Sequence, residues 1–184
     1  SQLFKNNGWF AARVGKIYHY GNPGQIGTPG LDDSPSWDVA INPAGRDKLT
    51  DEPSIIQYTG AKGSYGASLS WLAAEGVDSD HTDGKVADEA IRLMEQNKDK
   101  PFFLAVGFYK PHTPYVAPRP WFAKYPTDKI QLPKIPANLA ELFPAAALSG
   151  QKKEELAMSD DLRRQAIQAY SASTSFMDAQ VGKL

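Results

Sequence analysis

Nine consecutive residues, PFFLAVGFY (101–109), carry no charge, while KDK precedes them and KPH follows them. An unbroken apolar run of this length suits a strand buried on both faces, as in a parallel sheet. Just upstream, DGKVADEAIRLMEQN (83–97) places Val86, Ala90, Ile91 and Met94 on one face at helical spacing. Asp83 is positioned to act as its N-cap. Helix followed by buried strand is half of a βαβ unit, which predicts an α/β fold with a largely parallel sheet flanked by helices.

The rest of the pattern fills in around that unit. SQLFKNNG reads as the tail of a helix closed by Gly8, and WFAARVG (9–15) as a second strand. YGASLSWLAA (65–74) alternates well enough for a third. Residues 21–63 are rich in Gly, Pro, Asp and Ser and lack periodicity, so one long ordered loop is expected there, with Trp37 shaping a pocket. Residues 111–144 are punctuated by prolines, with a short helical piece at PWFAKY and an extended KIQLPKIP. From about Asp160 a long amphipathic helix is expected, with Leu162, Ala166, Tyr170, Thr174, Met177 and Val181 as its inner stripe.

Composition narrows the function classes. The 184 residues suit one domain or a large piece of a bigger one, and 41% hydrophobic residues supply a core. A net charge of -1 without a basic stripe argues against a nucleic-acid partner. No run approaches the about 18 apolar residues of a membrane helix, so no membrane partner is expected. The chain has no cysteine, which excludes disulfides, zinc–thiolate sites and a cysteine nucleophile within it. Its start at Ser1 and its end in QVGKL both read as cuts through a larger protein, and no signal peptide is visible.

Two segments put cations just beyond an apolar strand: VGKIYH, with Lys16 and His19, and YKPH, with Lys110 and His112. Ligands of open parallel sheets bind outside the carboxyl ends of the strands. Lysines and imidazoles meeting there suit an oxyanion such as sulfate or phosphate, and a histidine could protonate a leaving oxygen. Pro111 restricts the backbone beside His112. The competing reading is two polar strand ends in solvated loops. His81, in DSDHTDG, reads as surface decoration.

GKIYH (15–19), PFFLAVGFYKPHTPYVAPRPWFAKYP (101–126) and YSASTSFMDAQVG (170–182) resemble, in this order, three blocks of the type I sulfatases, and most of all their iduronate-2-sulfatase-like branch. The resemblance covers essentially the whole chain. It implies an alkaline-phosphatase-like fold and a sulfuric ester hydrolase acting on sulfated carbohydrates. Lys16 would contact the sulfate and the nucleophile, and His19 would assist the formylglycine. His112 would contact the sulfate or the leaving oxygen, with Lys110 a further substrate-binding residue of the same block. Asp178 would be structural.

The departures from the family pattern are equally specific. No Cys/Ser-x-Pro/Ala-x-Arg motif occurs here, so the formylglycine would lie upstream of residue 1. The Ca²⁺ ligands would also lie outside, upstream and beyond Leu184, and no metal ligand is assigned within the chain. Asp32 and Asp33, in LDDSP, read as solvated loop carboxylates. Residues 1–184 are thus expected to be an internal segment whose partners are the remainder of the sulfatase domain and a sulfated carbohydrate or other sulfate ester. By itself the segment is expected to be inactive. The alternatives are a phosphatase or phosphonate monoester hydrolase of the same superfamily, or a non-catalytic domain that binds anionic glycans. Periplasmic, extracellular or lysosomal work is implied by the resemblance.

Overall fold

The computed structural model describes residues 1–19, 21–150 and 152–184. A short helix α1 (Gln2–Asn6) ends before Gly8, whose φ of +80° turns the chain into strand β1 (Phe10–Gly15). Next come β2 (Val39–Ile41), α2 (Arg46–Leu49), β3 (Ile56–Gln57) and β4 (Ser70–Ala74). Helix α3 (Thr82–Asn97), β5 (Phe102–Gly107), β6 (Tyr115–Pro118) and α4 (Arg119–Ala123) follow. Three one-turn helices, α5 (Leu139–Leu142), α6 (Ala145–Leu148) and α7 (Lys153–Leu156), lead to α8 (Asp160–Val181).

Three strands form a parallel sheet in the order β2–β1–β5, with Phe10 opposite Phe102 and Gly15 opposite Gly107. On one face Ala12 and Val14 of β1 join Val86 and Leu93 of α3, with Leu104 and Val106 packed against them. On the other, Phe103 is stacked between Phe4 and Trp37. A second sheet, β3–β4–β6, has an antiparallel β3–β4 pair and a parallel β4–β6 pair. Helix α8 closes over it through Ala169, Ala172 and Phe176, which meet Trp71, Ala117 and Phe122. The α/β class with helices flanking a parallel sheet is therefore as the pattern predicts, and α3 and α8 start within one residue of their expected positions.

Several local expectations change. The 21–63 segment is not one loop, because it contains β2, α2 and β3. Of residues 65–74 only Ser70–Ala74 are extended; the hydroxyls of Ser68 and Ser70 donate back to the Tyr65 carbonyl and close a turn over the first part. Strand β5 is half-buried throughout, because it is the edge of its sheet. The inner face of α8 runs through Leu162, Ala166, Ala169, Ser173, Phe176 and Gln180, while Tyr170 and Val181 face outward. Each four-residue step overshoots a full turn by about 40°, so a stripe stepped mainly by four drifts off the buried face. On α3, Ala87 and Leu93 are buried, whereas Ile91 and Met94 are only half-buried.

Candidate active site

Strands β1 and β5 end together. Both finish in Val-Gly, with Val14 opposite Val106 and Gly15 opposite Gly107. The Lys16 amide donates to the Gly107 carbonyl at 2.9 Å, and a Cβ on Gly107 would stand 1.9 Å from the Lys16 carbonyl oxygen. The two expected cationic segments therefore leave the sheet from one carboxyl rim. Lys16 is half-buried and His19 exposed, and neither side chain has a hydrogen-bond or ion-pair partner among the described residues.

The chain after β5 turns through cis bonds at Lys110–Pro111 and Thr113–Pro114, and the His112 amide donates to the Tyr109 carbonyl. The half-buried His112 ring brings Nδ1 to 2.7 Å from the Thr113 carbonyl oxygen. A carbonyl only accepts, so this contact assigns the proton to Nδ1. The Asn22 amide nitrogen lies 3.1 Å from Nδ1 and donates to the same carbonyl at 2.9 Å. Nε2 has no partner among the described residues. It accepts a proton in the neutral ring and donates one in the charged ring.

Asn22 is itself locked. A Cβ on Gly66 would stand 1.6 Å from the Asn22 carbonyl oxygen, and the Thr113 hydroxyl donates to the Gly66 carbonyl. Beside Thr113 opens a groove of about 590 Å³, lined among others by Leu69, Tyr115, Ile135, Lys152 and Arg163. That volume is within the usual range for small-molecule sites.

Lys110 and Asp83 sit differently from the sequence expectation. Lys110 is 5% exposed, and its ammonium donates to the Pro114 carbonyl at 3.0 Å, within its own loop. Asp83 is inside the first turn of α3, not at the cap, and is fully buried. Its carboxylate accepts the Tyr109 amide at 2.8 Å and the Lys110 amide at 2.9 Å. Burial pushes this carboxyl up to about 6, and the Lys110 charge and the two amides oppose that rise.

Four further readings are corrected. His81 is buried, with Nε2 donating to the Glu75 carbonyl and the ring edge-on to Phe176. Asp32 is not a solvated carboxylate: it grips the buried Arg13 guanidinium, with contacts from 2.6 to 3.1 Å, and accepts from Trp37 Nε1. The Arg13 hydrogen bonds hold its carboxyl below the usual range. Asp33 accepts from Ser36 Oγ and Gln2. Trp37 is buried against Phe103, near the amino end of β5 and away from the rim. Asp178 lies on the exposed face of α8. Among the described residues no three His, Asp or Glu side chains converge as a cation would require.

A parallel sheet with helices on its faces makes this an α/β protein, the class that includes the alkaline-phosphatase-like fold. The chain belongs to the Sulfatase family, whose sequence profile matches residues 5–184. It is 31% identical to mouse (Mus musculus) iduronate 2-sulfatase over 98% of its own length, and 30% identical to the human (Homo sapiens) enzyme over 100%. A protein named Sulfatase from Formosa agariphila is 27% identical, again over the whole chain. The chain spans 35% of the length of the two iduronate 2-sulfatases and 36% of the Formosa protein.

Proposed function

We propose that residues 1–184 are an internal segment of a sulfuric ester hydrolase that acts on sulfated carbohydrates. The observation that carries this reading is the Gly15–Gly107 pairing, from which the Lys16 and His112 segments leave one rim, with His112 Nε2 unpartnered among the described residues. Lys16 would pair its ammonium with a sulfate oxygen and offset the charge that develops there. His112, protonated at Nε2, would donate that proton to the alcohol oxygen as the sulfur–oxygen bond breaks. His19, exposed just beyond the end of β1, would exchange protons with the nucleophile. A formylglycine would supply that nucleophile and Ca²⁺ would neutralise sulfate charge; both belong to parts of the protein outside this chain. The groove beside Thr113 supports a carbohydrate, because it opens directly next to the residue that orients His112. Homology to iduronate 2-sulfatases supports periplasmic, extracellular or lysosomal work. The described helices include none long and apolar enough to cross a membrane.

The test is turnover of a sulfated disaccharide by the full-length protein and its His112→Ala variant. The reading requires a loss in kcat of roughly 10²- to 10⁴-fold, the usual scale for a general acid. An unchanged kcat would sink it. The isolated 184-residue chain is expected to show no turnover.

A further inference from the structure

We propose that Asp83 and Lys110 form a buried brace that positions His112, so that Lys110 serves as a positioning residue and not as a sulfate ligand. This rests on the reading of His112 as the group that meets the ester. The observations that carry it lie under the Lys-Pro-His turn. Asp83 projects from the first turn of α3 and takes both amides that precede the turn, Tyr109 at 2.8 Å and Lys110 at 2.9 Å. The Lys110 side chain then folds inward, and its ammonium closes on the Pro114 carbonyl at 3.0 Å. Residues 109–114 are thus held at both ends, with His112 at the centre.

Charge explains why the brace is built from these two residues. A fully buried carboxylate needs compensation, and Asp83 has two amide donors and the Lys110 charge. Lys110, 5% exposed, has Asp83 as its compensating charge. The other charged group facing Asp83 is Asp47, from α2, which opposes its ionisation and is itself occupied by the Thr82 amide and hydroxyl. A lysine with its ammonium turned into the protein and satisfied by Pro114 is poorly placed to grip an external anion. Lys16 has no partner among the described residues and is the better ligand.

The experiment uses the full-length enzyme with Asp83→Asn and Lys110→Met, each alone and combined with His112→Ala. The brace requires each single change to lower kcat by roughly 10- to 100-fold, as expected when a catalytic group is displaced by about 1 Å. Neither change should lower it further once His112 is gone. Inhibition by inorganic sulfate should stay within about twofold in Lys110→Met, because no ligand has been removed. Losses that multiply in the His112→Ala background, or sulfate inhibition weakened by about tenfold or more, would overturn the proposal. If Asp83→Asn does not fold, Lys110→Met carries both readouts. If His112→Ala leaves kcat intact, the functional reading fails. The brace is then judged by hydrogen exchange at the Tyr109 and Lys110 amides, which Asp83→Asn should accelerate at least about tenfold and which no change in rate would refute.

Discussion

Gly15 and Gly107 close the paired strands β1 and β5 opposite one another, and neither has room for a Cβ: one on Gly15 would stand 2.2 Å from the Gly107 carbonyl oxygen. At Gly107 the obstacle is the backbone carbonyl of Lys16, at 1.9 Å, which cannot rotate away like a flexible side chain. Gly107→Ala must therefore push the β1 and β5 exits apart. The expected cost is about 1–3 kcal/mol of stability, the range for overpacking a tight site. A loss in kcat should accompany it, because Lys16 and His112 no longer share one rim. Thermal unfolding and kcat of the full-length variant check this; unchanged values for both would show that the exits tolerate separation.

Asp83 gives the protein a pH signature. Its carboxyl is raised from 3.8 to about 6, chiefly by burial. Because the native value lies above the unfolded one, the native state holds the extra proton between them. The stability from that proton is fully present below 3.8 and is lost as pH rises through about 6. Relative to Asp83→Asn, the wild type should therefore lose stability with rising pH across this window and stay level above it. Urea midpoints of the two proteins from about pH 4 to 8 measure the difference. A constant difference across the range would contradict a raised native value.

Arg13 and Asp32 make the opposite pH prediction. Arg13 is 2% exposed within β1, and Asp32 is its ionic partner. Removing the carboxylate leaves a buried guanidinium with the Asn42 side chain and the Gly15 carbonyl as its acceptors among the described residues. Asp32→Ala should cost about 3–5 kcal/mol. The native carboxyl titrates below 3.8, so its contribution is present above that value and disappears as pH falls through the lowered one. Acid unfolding of the variant should accordingly be less steep than that of the wild type.

The parts of the fold that were legible in the sequence are those set by local periodicity. The β1 and β5 runs, the α3 pattern and the start of α8 each follow from residues within one window. The exit of the Lys16 and Lys-Pro-His segments from one rim was legible for a similar reason, since βαβ logic aligns the strand ends. The repeated Val-Gly ending was available as a further signal, because paired glycines mark a close backbone approach. Asp83 was not legible. An acidic residue at a helix start looks the same whether it caps its own helix or takes amides 26 and 27 residues away. Asp32 and His81 were missed likewise, because their partners, Arg13 and the Glu75 carbonyl, are recognisable only once the chain has folded. Asn22 carried no sequence signal at all; its role depends on two loops meeting at Thr113.

On the proposed function, the groove beside Thr113 would take the sugar, apart from the rim that would take the sulfate. Ile135 lines it, is 68% exposed and belongs to no helix or strand, so replacing it should leave folding intact. Ile135→Trp adds an indole to a space of about 590 Å³ and should narrow it. A sulfated disaccharide needs room for its second ring, whereas 4-nitrophenyl sulfate presents only a single small ring beside the sulfate. The full-length variant should show KM raised by roughly 10-fold for the disaccharide, the scale of about 1.4 kcal/mol of lost contact. The value for the aryl sulfate should stay within about twofold, and kcat should hold for both, because the binding lost is the same in ground and transition states. If KM rises equally for the two substrates, the groove and the sulfate pocket are one space; if it rises for neither, the sugar lies elsewhere.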